Sequence, residues 1–414
     1  MAKLFSEFLK RLVKHGNMVI EDADGTSRAF GDGHGPRYTL VFGDKSVARD
    51  LMLQPELRFA ELYMDGRWWL TEGDLAGLLT MLFENMDTGT IPLWRQAMHR
   101  GLRRLRQRND ARSARRNAHH HYDVGNDIYE LFLDEDWQYS CGYFPRPDVS
   151  LEEAQLAKKR HIAAKMLLED GQRVLDIGCG WGGMGLYLAK HTNADVTGIT
   201  LADEQLARAR ARAGSTPNVE FRLQDYRDVN ERFDRIVSVG MFEHVGVGYF
   251  RQYFEAVKRL LTDDGVMMLH SIGRNGPPGY TAPFIEKYIF PGGYIPSLSE
   301  VLPVIESVGL YVTDIEIWRL HYAETLKGWG ERFTANREKV IALRDERFYR
   351  MWEFYLAGSE AAFRSGDMMV FQIQLAKSQT TVPLTRDYIT ETEHALAARD
   401  GRHAGGPALV AQSR

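Results

Sequence analysis

From residue 151 onward, short apolar runs alternate with longer stretches in which apolar positions recur every three to four residues. The short runs are Arg173–Ile177, Asp195–Thr200, Val219–Leu223, Asp234–Val239, Val266–Ser271, Tyr311–Trp318 and Val370–Ala376. Their length and their share of β-branched and aromatic residues predict strands. Helices are predicted at Leu151–Leu168, Met184–Lys190, Glu204–Ala213, Tyr249–Leu261 and Leu298–Val308. Strands alternating with helices make a doubly wound, mostly parallel α/β sheet, here of seven strands. Gly273–Pro296 is rich in Gly and Pro and reads as a loop carrying a short helix at Ala282–Ile289. Residues 322–365 form a helical insertion between the last two strands, with Trp329, Phe333, Phe348, Tyr349, Trp352, Phe354, Tyr355 and Phe363. Aromatics at helical spacing ordinarily make core; over the ligand edge of a sheet they can also wall an apolar pocket.

The first 91 residues follow another pattern and predict a small α/β N-terminal domain. Lys3–Lys14 is an amphipathic helix with Leu4, Phe5, Phe8, Leu9, Leu12 and Val13 on one face and Lys3, Lys10, Arg11 and Lys14 off it. Packing within its own domain and contact with an anionic membrane surface are both open readings of that face. Asn17–Phe42 reads as β-structure turning at Ala23–Gly25, followed by helices at Ser46–Leu53, Glu56–Tyr63 and Asp74–Phe83, with Gly66–Trp69 between two of them. Residues 92–118 are a linker that carries Arg95, Arg100, Arg103, Arg104, Arg106, Arg108, Arg112, Arg115 and Arg116 against the single acid Asp110. Such a run is ordinarily just solvated, but beside a lipid-active domain it can hold phospholipid head groups. The main domain spans 119–399, and the small, polar residues 400–414 read as a disordered tail.

Composition narrows the class. With 414 residues, 44% hydrophobic and 26% charged, the chain has room for two or three globular domains. A net charge of -4 does not favour a nucleic-acid partner. No apolar run approaches the ~20 residues of a membrane-spanning helix, and no secretory leader is expected. Two cysteines, Cys141 and Cys179, cannot make a disulfide framework, so a reducing cytoplasm is the expected compartment. His119, His120 and His121 are consecutive and point different ways, so no metal site is expected from them.

Candidate chemistry centres on Val174–Gly183. Asp176 lies near the end of the first strand, and Gly178, Gly180 and Gly182 make a turn into a helix, the arrangement of a nucleotide-binding crevice. A dinucleotide site wants an acid at the end of the second strand, where this chain has Thr200. Asp176, together with Gln224 and Asp225 after the third strand, suits S-adenosylmethionine instead. Asp225 can accept from the adenine amine.

The motifs together resemble the cyclopropane fatty-acyl-phospholipid synthases and the related mycolic acid cyclopropane synthases. The match is carried by His121–Asp123 with Gly125–Asp127, Tyr139–Tyr143, Leu175–Gly183, Gly198–Leu201, Met241–Gly246, His270–Gly273, Phe284–Ile285, Tyr288–Gly293, His321–Ala323 and Thr325–Leu326. It covers nearly the whole chain, to about Ala376. The resemblance implies a class I S-adenosylmethionine methyltransferase fold. It also implies transfer of a methyl group to a cis double bond of an acyl chain in a membrane phospholipid, with a carbocation that loses a proton and closes to a cyclopropane. A bicarbonate ion would be the base, caged by Cys141, Glu243, His270, Ile272 and Tyr322, with Cys141 and Ile272 acting mainly through backbone. Tyr139, Ser140, Gly178, Gly180, Thr200, Leu201, Gln205 and Asp225 would line the S-adenosylmethionine site. The family further implies a homodimer and peripheral association with the inner face of the cell membrane.

The residues fit that chemistry. An alkene is a weak nucleophile without an acidic proton, so a dry pocket, electron-rich walls and a placed base matter more than an activated hydroxyl. Taken alone, Glu243 reads as a helix N-terminal acid and His270 as a core histidine; with Tyr322 and Cys141 the catalytic reading prevails. Three rivals stay open: an alkene methyltransferase making methyl- or methylene-branched chains from the same cation, a lipid-binding protein on an inactive methyltransferase fold, and a small-molecule methyltransferase.

Overall fold

The computed structural model describes residues 2–86 and 124–404. The arginine run, His119–His121, Tyr122, Asp123 and residues 405–414 lie outside them.

The N-terminal unit comprises α1 (Ala2–Leu12), β1 (Asn17–Glu21), β2 (Ser27–Phe30), β3 (Arg37–Phe42), α2 (Val47–Leu53), α3 (Pro55–Met64), β4 (Trp68–Glu72) and α4 (Leu75–Asn85). Its sheet has the order β2-β1-β3-β4, with β1 and β3 parallel and the outer pairs antiparallel. The expected connection at Gly66–Trp69 runs into strand β4. Trp68 is sealed in the core with its indole N–H on Phe59 O at 2.8 Å, while Trp69 faces out. A five-residue edge strand is too short for its alternation to stand out. The apolar face of α1 divides. Phe5, Leu9 and Val13, four residues apart, are buried in the unit, and Leu4 and Phe8 are exposed.

The larger unit begins with a single turn α5 (Asn126–Tyr129) and α6 (Leu151–Lys165). Ser150 and Glu153 accept from each other's backbone N–H and fix where α6 starts. Then follow β5 (Arg173–Ile177), α7 (Gly183–Thr192), β6 (Asp195–Thr200), α8 (Asp203–Ala213), β7 (Val219–Leu223), β8 (Phe233–Val239), α9 (Phe250–Leu260), β9 (Leu261–Arg274), α10 (Leu298–Val308) and β10 (Tyr311–Trp318). The insertion is α11 (His321–Ala335), α12 (Arg337–Leu343) and α13 (Glu346–Arg364), and β11 (Met368–Ala376) and α14 (Asp387–Ala404) close the fold. The seven strands lie in the order β10-β11-β9-β8-β5-β6-β7. Only β11 runs antiparallel to its neighbours, so the sheet is mostly parallel as expected. The strand order reverses beside β5, which pairs with both β6 and β8.

Two expectations need correction. The short helix in the Gly273–Pro296 loop is a π-helical turn at Ile285–Ile289. The boundary at residue 400 cuts a helix: α14 runs to Ala404, and the Asp400 carboxylate, almost fully buried, accepts from Arg160 Nε at 2.9 Å and Nη2 at 2.6 Å. Alanines at 395, 397 and 398 favour helix, and the ion pair docks it on α6.

The two units share one core. A continuous apolar cluster runs from Phe5 through the N-terminal sheet to Trp329, Phe333 and Trp352 of the insertion. Helix α13 packs on α3 and α4 as well as on α11. At the edge of this contact Arg347 Nε meets Asp65 at 2.9 Å, Ser365 meets Glu84 at 3.0 Å and the Tyr63 hydroxyl donates to Glu353.

Candidate active site

The carboxyl ends of β5, β6 and β8 border a cleft of about 190 Å³, at the point where the strand order reverses. Its floor is the glycine turn. Gly178 and Cys179 both donate backbone N–H to Ile199 O, at 2.9 and 3.0 Å, which ties the turn to β6. Gly180 has φ +54°, and a Cβ there would meet nothing nearer than Gln205 Nε2 at 4.0 Å. That bare backbone is where a ligand can come close. Gly182 differs: a Cβ would lie 2.7 Å from Phe221 Cζ and 3.1 Å from Ala209 Cβ. It lets α7 pack against β7 and α8, while its neighbours Trp181 and Gly183 line the cleft.

Asp176 is buried at the end of β5 and accepts from Gly185 N–H, while Oδ2 has no hydrogen-bond partner. Burial pushes this carboxyl up to about 7. Thr200 Oγ1 donates to Gln205 Oε1 at 3.2 Å, which orients the amide below Gly180. Leu201 and Gln224 line the same cleft. Asp225 also lines it, but its carboxylate already accepts from Arg227 N–H at 3.0 Å, Nε at 2.8 Å and Nη2 at 2.6 Å. On the facing wall, the Tyr139 hydroxyl is 2.8 Å from that of Tyr355 and its ring stacks on Trp329. Ser140 Oγ and Gln138 Oε1 each accept from Lys158 Nζ at 2.7 Å. Lys158 is fully buried, and burial pulls its ammonium down to about 7.

None of the five expected catalytic residues lines this cleft, although their chain neighbours Ser140, Met241 and His244 do. Glu243, His270 and Ile272 form one group at the ends of β8 and β9. Glu243 Oε1 accepts from Ile272 N–H at 2.6 Å, Oε2 is buried without a hydrogen-bond partner, and burial pushes the carboxyl up to about 7. His270 is held well below its ordinary pKa by burial and by the nearby Lys158 and Lys165 charges. Cys141 and Tyr322 form a second group: Gly142 N–H donates to Thr325 Oγ1 at 2.9 Å, one helical turn along α11 from Tyr322. Burial pushes the Cys141 thiol up, which disfavours a thiolate nucleophile. The buried Lys158 charge acts on Cys141, His270 and Asp176 alike. Among the described residues, no group of three or more His, Cys, Asp or Glu side chains could hold a metal ion.

The family described as mycolic acid cyclopropane synthetase matches residues 109–373 of this chain. The chain belongs to that family. It is 42% identical over 284 residues to a probable fatty acid methyltransferase of Pseudomonas putida, covering 66% of this chain and 72% of that one. It is 37% identical over 327 residues to the cyclopropane-fatty-acyl-phospholipid synthase of Escherichia coli strain K12, covering 79% and 85%. A solved mycolic acid cyclopropane synthase in complex with SAH and CTAB superposes with a TM-score of 0.61 at 35% identity, covering 63% of this chain and 97% of that one.

As a member of the cyclopropane synthetase family, the chain is an S-adenosylmethionine-dependent methyltransferase with the class I fold. The cleft fits the co-substrate, since Gly180 leaves backbone open to it and Asp176 keeps an acceptor unspent. Sequence reasoning missed Gln138, Arg227, His244 and above all Lys158. In Leu151–Leu168, Lys158 sits among Lys159 and Arg160 and reads as part of a solvated face, so no pattern marked it.

Proposed function

We propose that the chain moves the methyl carbon of S-adenosylmethionine onto the cis double bond of unsaturated acyl chains in membrane phospholipids and closes a cyclopropane ring. The reading rests on one observation: buried Glu243, with one oxygen committed to the backbone of Ile272 and the other unspent, is tied to the strand that carries an uncharged His270 two residues before Ile272. The alkene π pair forms the bond to the methyl carbon, and the carbon–sulfur pair leaves with sulfur. The cation on the other alkene carbon then draws in the C–H pair of the new methyl as that proton departs. Products are S-adenosylhomocysteine, the cyclopropane and one proton, so the reaction needs no oxidant. Bicarbonate bound by Glu243, His270, Tyr322 and the backbone of Cys141 and Ile272 would supply the base. Glu243, pushed up to about 7, can hold a proton toward that anion, which two bare anions side by side could not share. Aromatic faces at Tyr139, Trp329 and Tyr322 give the cation electron-rich neighbours and exclude water.

Incubation with S-adenosylmethionine and unsaturated phospholipid vesicles tests this, with product lipids read by mass spectrometry and proton NMR. Acyl chains one CH2 heavier with upfield ring protons are expected; no mass gain after a single turnover would leave a lipid-binding protein on an inactive fold. A second reading has the same cation lose a different proton to give a methyl- or methylene-branched chain, and the Pseudomonas putida relative's name favours it. Vinyl protons in place of ring protons would select it.

We further propose that the chain acts as a homodimer at the cytoplasmic face of the membrane. No helix among the described residues is long and apolar enough to cross a bilayer. Exposed Leu4 and Phe8 beside Lys10 and Arg11 on α1 support surface contact.

A further inference from the structure

The polar side chains behind His270 form a line with only one consistent arrangement of protons. Lys165, the last residue of α6, is fully buried. Its ammonium donates to Glu316 and to Gln372 Oε1 at 2.9 Å, and Asp314 lies 3.6 Å away. An ammonium has donors and no acceptor, so Gln372 must turn its carbonyl oxygen toward Lys165. Its NH2 then faces the other way, onto His270 Nδ1 at 3.1 Å. An amide nitrogen only donates, so Nδ1 must accept, and the proton of the neutral ring belongs on Nε2.

We infer that Lys165 and Gln372 are positioning residues that lock His270 in the Nε2–H tautomer, so that its one N–H is reserved for an anion on the ring's other side. The contact is built into the sheet: Gln372 of β11 stands directly opposite His270 of β9 in the antiparallel ladder. The far end is anchored too. Glu316 also accepts from His161 Nε2 at 2.7 Å, and His161 Nδ1 is 2.6 Å from Glu393 on α14. The ring stands edge-on to Trp318, with centroids 5.1 Å apart, which limits its rotation. His270 is buried and held uncharged, as a tautomeric lock requires. The inference rests on the proposed role of His270 in holding the anion, but the tautomer can be measured without it.

Nitrogen-15 NMR of histidine-labelled full-length protein, with the His270 signals identified by their loss in His270→Gln, reads the tautomer directly. The wild type should show protonated Nε2 and bare Nδ1; a proton on Nδ1 overturns the inference, whatever the activity. Gln372→Glu keeps the size and still pairs with Lys165, but offers His270 only acceptors. It should move the proton to Nδ1 and lower kcat by about tenfold or more, with little change in KM for S-adenosylmethionine. A moved proton with unchanged kcat would also overturn the positioning role. Gln372→Asn, which keeps the amide, should retain the wild-type tautomer. If the tautomer is as inferred but bicarbonate depletion leaves wild-type turnover unchanged, the anion reading fails and the lock stands.

Discussion

Gly180 is the residue on which the co-substrate assignment can be broken with least damage elsewhere. Gly180→Val puts a branched Cβ into the open side of the turn, at a φ that costs a β-branched residue about 1–2 kcal/mol. Calorimetry should show S-adenosylmethionine binding lost while circular dichroism stays native; unchanged affinity would sink the glycine-turn assignment. Glu243→Gln separates binding from chemistry. It keeps shape and loses charge, so turnover should fall by about a hundredfold with S-adenosylmethionine affinity nearly constant. Wild-type activity should drop in bicarbonate-depleted buffer and return on restoration, and the variant should not respond. If depletion leaves the wild type untouched while the variant is dead, Glu243 is itself the base. The same variant reports on pH. Folded Glu243 holds its proton up to about 7 against an ordinary 4.5, so the folded state binds more protons than the unfolded one between those values. Wild-type stability, measured relative to Glu243→Gln, should be highest below pH 4.5, fall as pH rises to about 7 and level off above it.

At the level of elements, the loop between β9 and α10 is held from the N-terminal unit. Glu61 of α3 is buried and accepts from Lys287 Nζ at 2.7 Å and the Tyr288 hydroxyl at 2.9 Å, a few residues before Pro291 and Gly292 join the cleft wall. Glu61→Gln removes the charge on which both bonds rely. Limited proteolysis should then cut within 273–296 several-fold faster with the overall fold intact; an unchanged rate would mean that the loop is held elsewhere. Elements legible in the sequence are those whose burial imposes a period. Strands β6, β7 and β10 fall at their expected bounds because each is a short segment rich in β-branched and aromatic residues between turn residues. Strand β4 and helix α14 were not legible. One is a short edge strand, and the other buries two apolar side chains, Ile389 and Leu396, too few to mark a period, and docks the rest of that face through Glu393 and Asp400 on His161 and Arg160. The site divides in the same way. Its glycines, Asp176 and Glu243 sit in recognisable motifs, whereas Lys158, Lys165 and Gln372 act through tertiary contacts between positions far apart in the chain.

For the whole molecule, the membrane question turns on charge. If Arg95–Arg116 meets anionic lipid, vesicle binding should weaken steeply with salt, since such attractions are screened over about 8–10 Å at ordinary ionic strength. Replacing Arg103, Arg104, Arg106 and Arg108 with Gln should weaken binding and spare S-adenosylmethionine affinity. Salt-independent binding would point instead to Leu4 and Phe8 on α1. The continuous cluster from Phe5 to Trp352 has a further consequence, for how the protein comes apart. Two segments separated by 37 undescribed residues, 87–123, would ordinarily melt separately. Here neither can lose its packing without stripping the cover from the other's aromatic side chains, so the units should melt together. Differential scanning calorimetry should record one endotherm with matching calorimetric and van't Hoff enthalpies, and two resolved endotherms would contradict this. A fragment starting at residue 124 should leave α13 bare where α3 and α4 now lie, and should precipitate rather than turn over slowly.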